Sequence, residues 1–339
     1  MAERIYLAAN NPDLGGGERM LLQHAEALIA LGHDVTVVSA DSPREVLDAA
    51  AAVGAATVAI RADGRGDYVR RLRAWDRTER HGVLWCHGLV PSFATTGHRD
   101  RIAHLHQDPR GRAQTVATAI ARVGARATLV PSADMAARVR GSRPHPNWTA
   151  DLPVLDRVPT GNRTTLGYLG RISTDKGVDV LARAVAGLDD VDLVLAGDSR
   201  YVAAADVARV DAQLGSLGSR VRRLGHIAPA DLFCSVDVVV FPSVWAEPFG
   251  LVVAEAMASG VPFVISDAGA LPEVAGPGHP WVARSGDADD LARVIGEALT
   301  ADEDDVRAVT DRARRRWEAE YSPQAGRLRV RRLLEELAR

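Results

Sequence analysis

Arg171 and Lys176 stand five positions apart in GRISTDKGVDVLARAV, residues 170–185. Lys176 is the only lysine in a chain of 339 residues whose Lys plus Arg total is 41. Two cations beside the start of a helix would neutralise a diphosphate, because the helix N-terminus adds unpaired N–H groups and a partial positive charge. A solvated Arg and Lys on a surface turn would show the same spacing. The two residue types differ, however: lysine is a compact point charge and arginine a planar fork. Either serves at an ordinary surface position, and every other cationic site here is arginine. The lone lysine therefore argues for a site that uses it.

A second constellation is SVWAEPFGLVVAEAMASGVPFVISDAGALPEVAG, residues 243–276. Glu247 falls in a loop, and Glu255 falls eight residues later inside the helix expected from about 250. Phe249, Gly250 and Leu251 present backbone N–H groups at that helix start, a seat for an anion. Two carboxylates so placed can hold separate hydroxyl-bearing parts of one ligand; a solvated helix residue and a loop charge are the plain alternative. A third feature is NNPDLGGGERM, residues 10–20, where Gly15, Gly16 and Gly17 join a strand to a helix. Glycines let backbone N–H groups approach a phosphate or sugar closely. The pattern is not GxGxxG, and a tight turn without a ligand has the same composition. DxD matches occur at DVD (190–192) and DAD (287–289) among others. DVD enters a strand at its amino end and DAD has the form of a helix cap, so both read as solvated carboxylates rather than metal ligands.

These segments sit where short apolar runs give way to helical periodicity. The runs are 5–9, 34–40, 83–88, 101–106 and 127–132, then 165–170, 191–197, 221–225, 236–243 and 262–267. An Ala-rich helix is expected at about 43–53, and two helices close the chain at 303–320 and 323–338. Met20, Leu21, His24, Leu28 and Leu31 mark one helix near a 3.6 period. Strands alternating with helices predict parallel sheets covered on both faces, and ligands of such sheets bind beyond the carboxyl ends of the strands. A Pro-rich stretch, 141–165, reads as an interdomain connection. The expected domains are 1–155 and 156–322, both Rossmann-like, with 323–339 a C-terminal helix.

Composition excludes several classes. Hydrophobic residues make up 47% and charged residues 25%, as in globular chains, and the net charge of -3 gives no global pull toward nucleic acid. Cys86 and Cys234 form no CxxC pair and read as reduced thiols. No run reaches the ~18 apolar residues of a membrane span, and the N-terminal apolar run is too short for a signal peptide. A cytoplasmic protein is expected. The scarcity of lysine fits a GC-rich genome.

EPFGLVVAEAMASGVPFVISDAGALPEV resembles the EPFGL…EAMA.G.PVV….GG.PE signature of the family 4 retaining glycosyltransferases, which adopt the GT-B fold. GRISTDKGVDVL resembles that family's GR…KG segment, PNW (146–148) its PNG linker, and GGGER its Gly-rich loop. VLWCHG and RIAHLHQDP fall where its N-terminal domain shows His-bearing strand ends. The likeness spans nearly the whole chain and is stronger in the C-terminal half.

The resemblance implies an α/β, GT-B architecture of two Rossmann-like domains facing a central cleft, the last helix packing back on the N-terminal domain. It also implies roles. Arg171 and Lys176 contact the donor's diphosphate, Glu247 the hydroxyls of the transferred sugar, and backbone at Phe249, Gly250 and Leu251 the sugar and phosphate. Glu255 holds the ribose, Gly16 and Gly17 approach the donor from the other domain, and His106 lies by the sugar. Strand alternation puts His104 and His106 on one side; His106 is favoured as nearer the strand end. The PNW variant of PNG leaves its loop geometry open. The implied reaction moves a sugar from a nucleotide-diphosphate sugar to a small-molecule, glycan or lipid-linked acceptor hydroxyl with retention, without a metal or other cofactor.

A nucleotide-sugar epimerase, with His106 and Glu247 as acid and base, is a competing reading, and a non-catalytic sugar-nucleotide-binding protein is a third. In RADGRGDYVRRLRAWDRTERHG (61–82), Tyr68, Val69, Leu72 and Trp75 share one helical face. Arg70, Arg71, Arg73 and Arg77 are left outward, as in basic helices that touch anionic lipid. Weak peripheral contact with the inner membrane face is the functional reading of this segment; a half-buried helix with a solvated face is the bland one.

Overall fold

The computed structural model describes residues 3–11, 13–154 and 163–338. The chain forms two compact units, one of 1–148 with 323–339 and one of 149–322. The expected boundary at 155/156 lies outside the described residues; the units exchange the chain between Trp148 and Thr149 and again between Ser322 and Pro323.

In the first unit the strands are β1 (Arg4–Ala8), β2 (Asp34–Ala40), β3 (Ala56–Ile60), β4 (Val83–His87), β5 (Arg101–His104), β6 (Ala127–Val130) and β7 (Arg143–Pro144). Among the described residues they pair in the order β3-β2-β1-β4-β5-β6-β7, every pair parallel. In the second unit the strands are β8 (Thr164–Leu169), β9 (Val191–Ala196), β10 (Val221–Gly225), β11 (Val238–Phe241), β12 (Phe263–Ser266) and β13 (Val282–Ala283). Their order is β10-β9-β8-β11-β12-β13, again all parallel. Each order reverses once, between β1 and β4 and between β8 and β11. Such switch points open a crevice outside the strands' carboxyl ends.

The apolar runs follow from burial on both faces. Alternate residues of one strand enter opposite cores: Leu193, Leu195, Val238 and Val240 join one cluster, Val194, Ala196, Val239 and Phe241 the other. β3 is a strand the sequence reading did not include, although Gly54, at φ 90°, stands just ahead of ATVAI. In the second core, His279 stacks on Phe263 with ring centroids 4.4 Å apart and donates to the Phe263 carbonyl. Burial pushes its imidazole down to about 4. The unfolded chain protonates His279 near 6.5 and the folded chain does not, so stability falls as pH drops from about 6.5 to 4 and levels below that. Partial exposure reduces the loss to on the order of 2 kcal/mol. His279→Gln should flatten the denaturation midpoint's pH slope in that window; an unchanged slope would remove His279 as its source.

The first unit includes the helix Pro323–Leu337. Gly326 lies so close to Trp148 that a Cβ there would sit 2.3 Å from the indole. Arg329 donates to the Pro146 carbonyl at 2.8 Å, and Arg143 pairs with Glu336 at 2.8 Å. The PNW variant thus has a packing reason: Trp148 is buried and the closing helix docks on its face. Gly326→Ala overpacks this contact and should cost about 1–2 kcal/mol despite alanine's better helix propensity; urea unfolding followed by tryptophan emission measures it.

Candidate functional site

In the second unit, β8 ends at Leu169 and the chain turns through Gly170 to Lys176 before the helix Val178–Ala186. The helix is capped by Gly177, whose φ of 71° is left-handed, and no side chain caps it. A Cβ on Gly177 would lie 1.9 Å from the Pro242 carbonyl oxygen, so glycine is required by contact as well as by φ. Asp175 is busy elsewhere. Its carbonyl accepts from Val244 and Trp245 N–H at 3.0 and 3.2 Å, tying the turn after β8 to the loop after β11. Its carboxylate accepts from Ser173 Oγ and pairs with Arg171.

That tie brings Lys176 onto Glu247. The ammonium pairs with Glu247 Oε1, and Ser243 Oγ donates to the same oxygen at 2.7 Å. Lys176 Nζ also lies 5.3 Å from the Trp245 ring centroid, a cation–π contact. Glu247 is 6% exposed, while the Lys176 side chain retains 25%. A buried carboxylate needs such partners to stay ionised. The Glu247 main chain bridges to Gly269 and its carbonyl accepts from Ala270 N–H at 2.9 Å. Gly269 has φ 59°, and a Cβ there would meet Glu247 N at 2.4 Å. Ser266 Oγ anchors the Ser243 carbonyl at 2.6 Å.

Phe249 is buried edge-on against Tyr321, ring centroids 5.3 Å apart, so its side chain serves the core. Gly250, at φ 96°, precedes the helix Leu251–Ser259, which no side chain caps. Glu255 is half-buried on that otherwise apolar helix. Lys176 and Glu247 are thus brought into contact, Arg171 is held beside them by Asp175, and Glu255 stands on the next helix. Asp175, Ser243 and Trp245 were missed by sequence reasoning; only their place at strand ends pointed to them.

In the first unit the loop after β1 leads to the helix Gly16–Ala30, with Gly15 at the N-cap. Gly15 N–H donates to the Asp13 carbonyl at 3.1 Å, no side chain caps the helix, and burial raises the Glu18 carboxyl. Gly17 lies against His106, whose ring a Cβ would meet at 3.5 Å. His106 follows β5, and its Nε2 is 3.0 Å from His87 Nδ1. Burial pushes the His106 imidazole down to about 4. His104, at the strand end, is fully buried.

Three other segments have partners in the structure. Asp190 and Asp192 are not merely solvated: Arg163 pairs with both, at 2.9 and 3.0 Å. Asp287 caps the helix Ala288–Thr300, accepting from Asp290 N–H at 3.0 Å. On the helix Arg65–Thr78, Tyr68, Leu72 and Trp75 are buried as expected. The outward arginines are largely engaged: Arg70 and Arg71 pair with Asp67, Arg73 donates to the Ala94 and Thr96 carbonyls, and Arg77 to His98. No described helix is long and apolar enough to cross a membrane.

Residues 14–148 match the Glycosyltransferase Family 4 model and residues 163–301 the Glycosyl transferases group 1 model. A phosphatidyl-myo-inositol mannosyltransferase of Mycolicibacterium smegmatis is 34% identical over 163 residues, 45% of this chain and 40% of that protein. A D-inositol 3-phosphate glycosyltransferase of Corynebacterium jeikeium is 33% identical over 184 residues, 51% of this chain and 43% of that protein. The chain thus aligns with less than half the length of these relatives. Anabaena HepE in complex with UDP-glucose superposes with a TM-score of 0.85 at 19% identity, covering 98% of this chain and all of that one. Sucrose-phosphate synthase from Thermosynechococcus elongatus gives 0.83 at 22% identity, covering 99% of each. With its two parallel α/β sheets and both halves matched, the chain belongs to the family 4 glycosyltransferases of GT-B fold.

Proposed function

We propose that the protein transfers a sugar, with retention of configuration, from a nucleotide-diphosphate sugar to an acceptor hydroxyl. The observation that carries this is the Lys176–Glu247 pair at the β8/β11 switch point, with Arg171 beside it. Transfer develops positive charge on the sugar and negative charge on the departing diphosphate. Lys176 and Arg171 meet the second charge, and fixed cations at a developing anion are the largest rate terms known for such sites. Glu247 holds sugar hydroxyls, Glu255 the ribose, and the N–H groups of Phe249 to Leu251 the sugar and phosphate. Attack occurs on the face the diphosphate leaves, the diphosphate taking the acceptor's proton, and no divalent metal is required for this step. The acceptor is a sugar, an inositol-type polyol or a lipid-linked form of either, a class the relatives' names suggest. Such a donor places the protein in the cytoplasm. Arg70 and Arg71, still 79% and 57% exposed, are the residues left for contact with an anionic lipid surface; co-sedimentation with phosphatidylglycerol against phosphatidylcholine vesicles reads that contact.

The test is nucleoside-diphosphate release from UDP-, GDP- and ADP-sugars, UDP-glucose first, with and without glucose and inositol acceptors. One donor should be cleaved faster with acceptor, at a rate unchanged by added Mg²⁺ or Mn²⁺. Isomerised donor with no acceptor would make the protein an epimerase, and binding without turnover a sugar-nucleotide-binding protein.

A further inference from the structure

Five of the chain's ten histidines, His24, His87, His104, His106 and His145, meet in one buried cluster of the first unit with Trp85 and Trp148. His24, His87 and His104 are essentially inaccessible, and each offers one ring nitrogen within 4.8 Å of the other two. His87 Nε2, His104 Nε2 and His106 Nδ1 are buried without a hydrogen-bond partner. Orphaned polar atoms at this density are unusual in a folded interior and call for an explanation.

His24 supplies a direction. Its Nδ1–H donates to the Met20 carbonyl at 2.7 Å, which leaves Nε2 a lone pair. That backbone bond is the support that metal-bound histidines characteristically have. Nε2 lies 3.2 Å from His145 Nε2, whose N–H donates to that lone pair until an ion takes it. His87 has the same form: its Nδ1 is engaged with His106 at 3.0 Å and its Nε2 is orphaned.

We propose that His24, His87 and His104 bind a structural transition-metal ion of the zinc class. The all-imidazole donor set selects borderline metals over Mg²⁺ or Ca²⁺. The site is separate from Lys176 and Glu247, which belong to the other unit, and it adds no metal to the transfer step. The ligands bring no negative charge, and Arg143 and Arg329 raise the local potential, so binding is weaker than at thiolate sites. Coordination of His104 through Nε2 puts the proton on Nδ1. The long Trp85 Nε1–H contact to that Nδ1, 3.4 Å, must then give way, and the indole reports it.

The experiment uses the full-length chain without a histidine tag, stripped by chelator and titrated with Co²⁺. The expected result is about one ion per chain with the visible absorption of a tetrahedral Co²⁺ site, a change in tryptophan emission, and displacement by Zn²⁺. His24→Gln and His104→Gln should abolish the band, and His33→Gln and His226→Gln should leave it. Absence of the band in the wild-type chain overturns the proposal, as does a band that survives in folded His24→Gln and His104→Gln. If those variants fail to fold, the wild-type arm still decides: a chelator that leaves both metal content and melting temperature unchanged overturns it.

Discussion

Lys176→Ala should lower turnover by about 100-fold or more, the usual effect of removing one group that stabilises a departing anion. It also strips the buried Glu247 carboxylate of its cation, leaving Ser243 Oγ as a partner. Some instability is therefore expected, below the 3–5 kcal/mol of a fully buried broken pair because Lys176 keeps a quarter of its exposure. Two further variants separate the effects. Lys176→Met combined with Glu247→Gln removes both charges and should recover most of the lost stability while recovering no activity. Lys176→Arg keeps the charge against Glu247 and Trp245 but replaces a point donor with a fork. It should preserve melting temperature and lose roughly tenfold in turnover. A fully active Arg variant would make the lone lysine an accident of composition, and native turnover in Lys176→Ala would end its role in leaving-group stabilisation.

Gly177→Ala should have one of the largest effects on stability of any single methyl added to the second unit. The new Cβ would stand 1.9 Å from the Pro242 carbonyl at φ 71°. Left-handed strain costs about 1–2 kcal/mol and overpacking about 1–3 more. Relief requires the turn after β8 to move away from the loop after β11, which parts Lys176 from Glu247. Donor affinity and turnover should therefore fall together with stability. Gly32→Ala is the control: its φ is 85° with no atom within 4 Å of the new Cβ, so it carries the backbone strain alone. Equal losses of stability in the two variants, by denaturant midpoint, would show that the Pro242 contact is not limiting.

Much of this was legible because strand and helix periodicities are local. The runs at 191–197 and 262–267 predicted β9 and β12 to within a residue or two, and the segments with candidate chemistry fell at strand-to-helix turns. The failures share a cause. β7 and β13 have two residues each, too few for a period to show. Glycine is required at 177 because the Pro242 carbonyl, distant in sequence, occupies the space a side chain would need. The arginines of 61–82 have a helical period that says nothing of Asp67, Ala94 or Thr96 receiving them.

By itself the sequence determined the alternation of elements, hence two parallel sheets, and the family signature in which Arg171, Lys176, Glu247 and Glu255 stand. Tertiary structure alone decided which of them touch. Lys176 and Glu247 are 71 residues apart; they meet because β8 and β11 are neighbours across the reversal of strand order and Asp175 ties their exit loops. His24, on the helix Gly16–Ala30, and His145, just past the edge strand β7, are 121 residues apart and also meet. A residue's face is fixed by its immediate neighbours in the chain. Its partners are fixed by the order in which distant strands close the sheet, which no local pattern encodes.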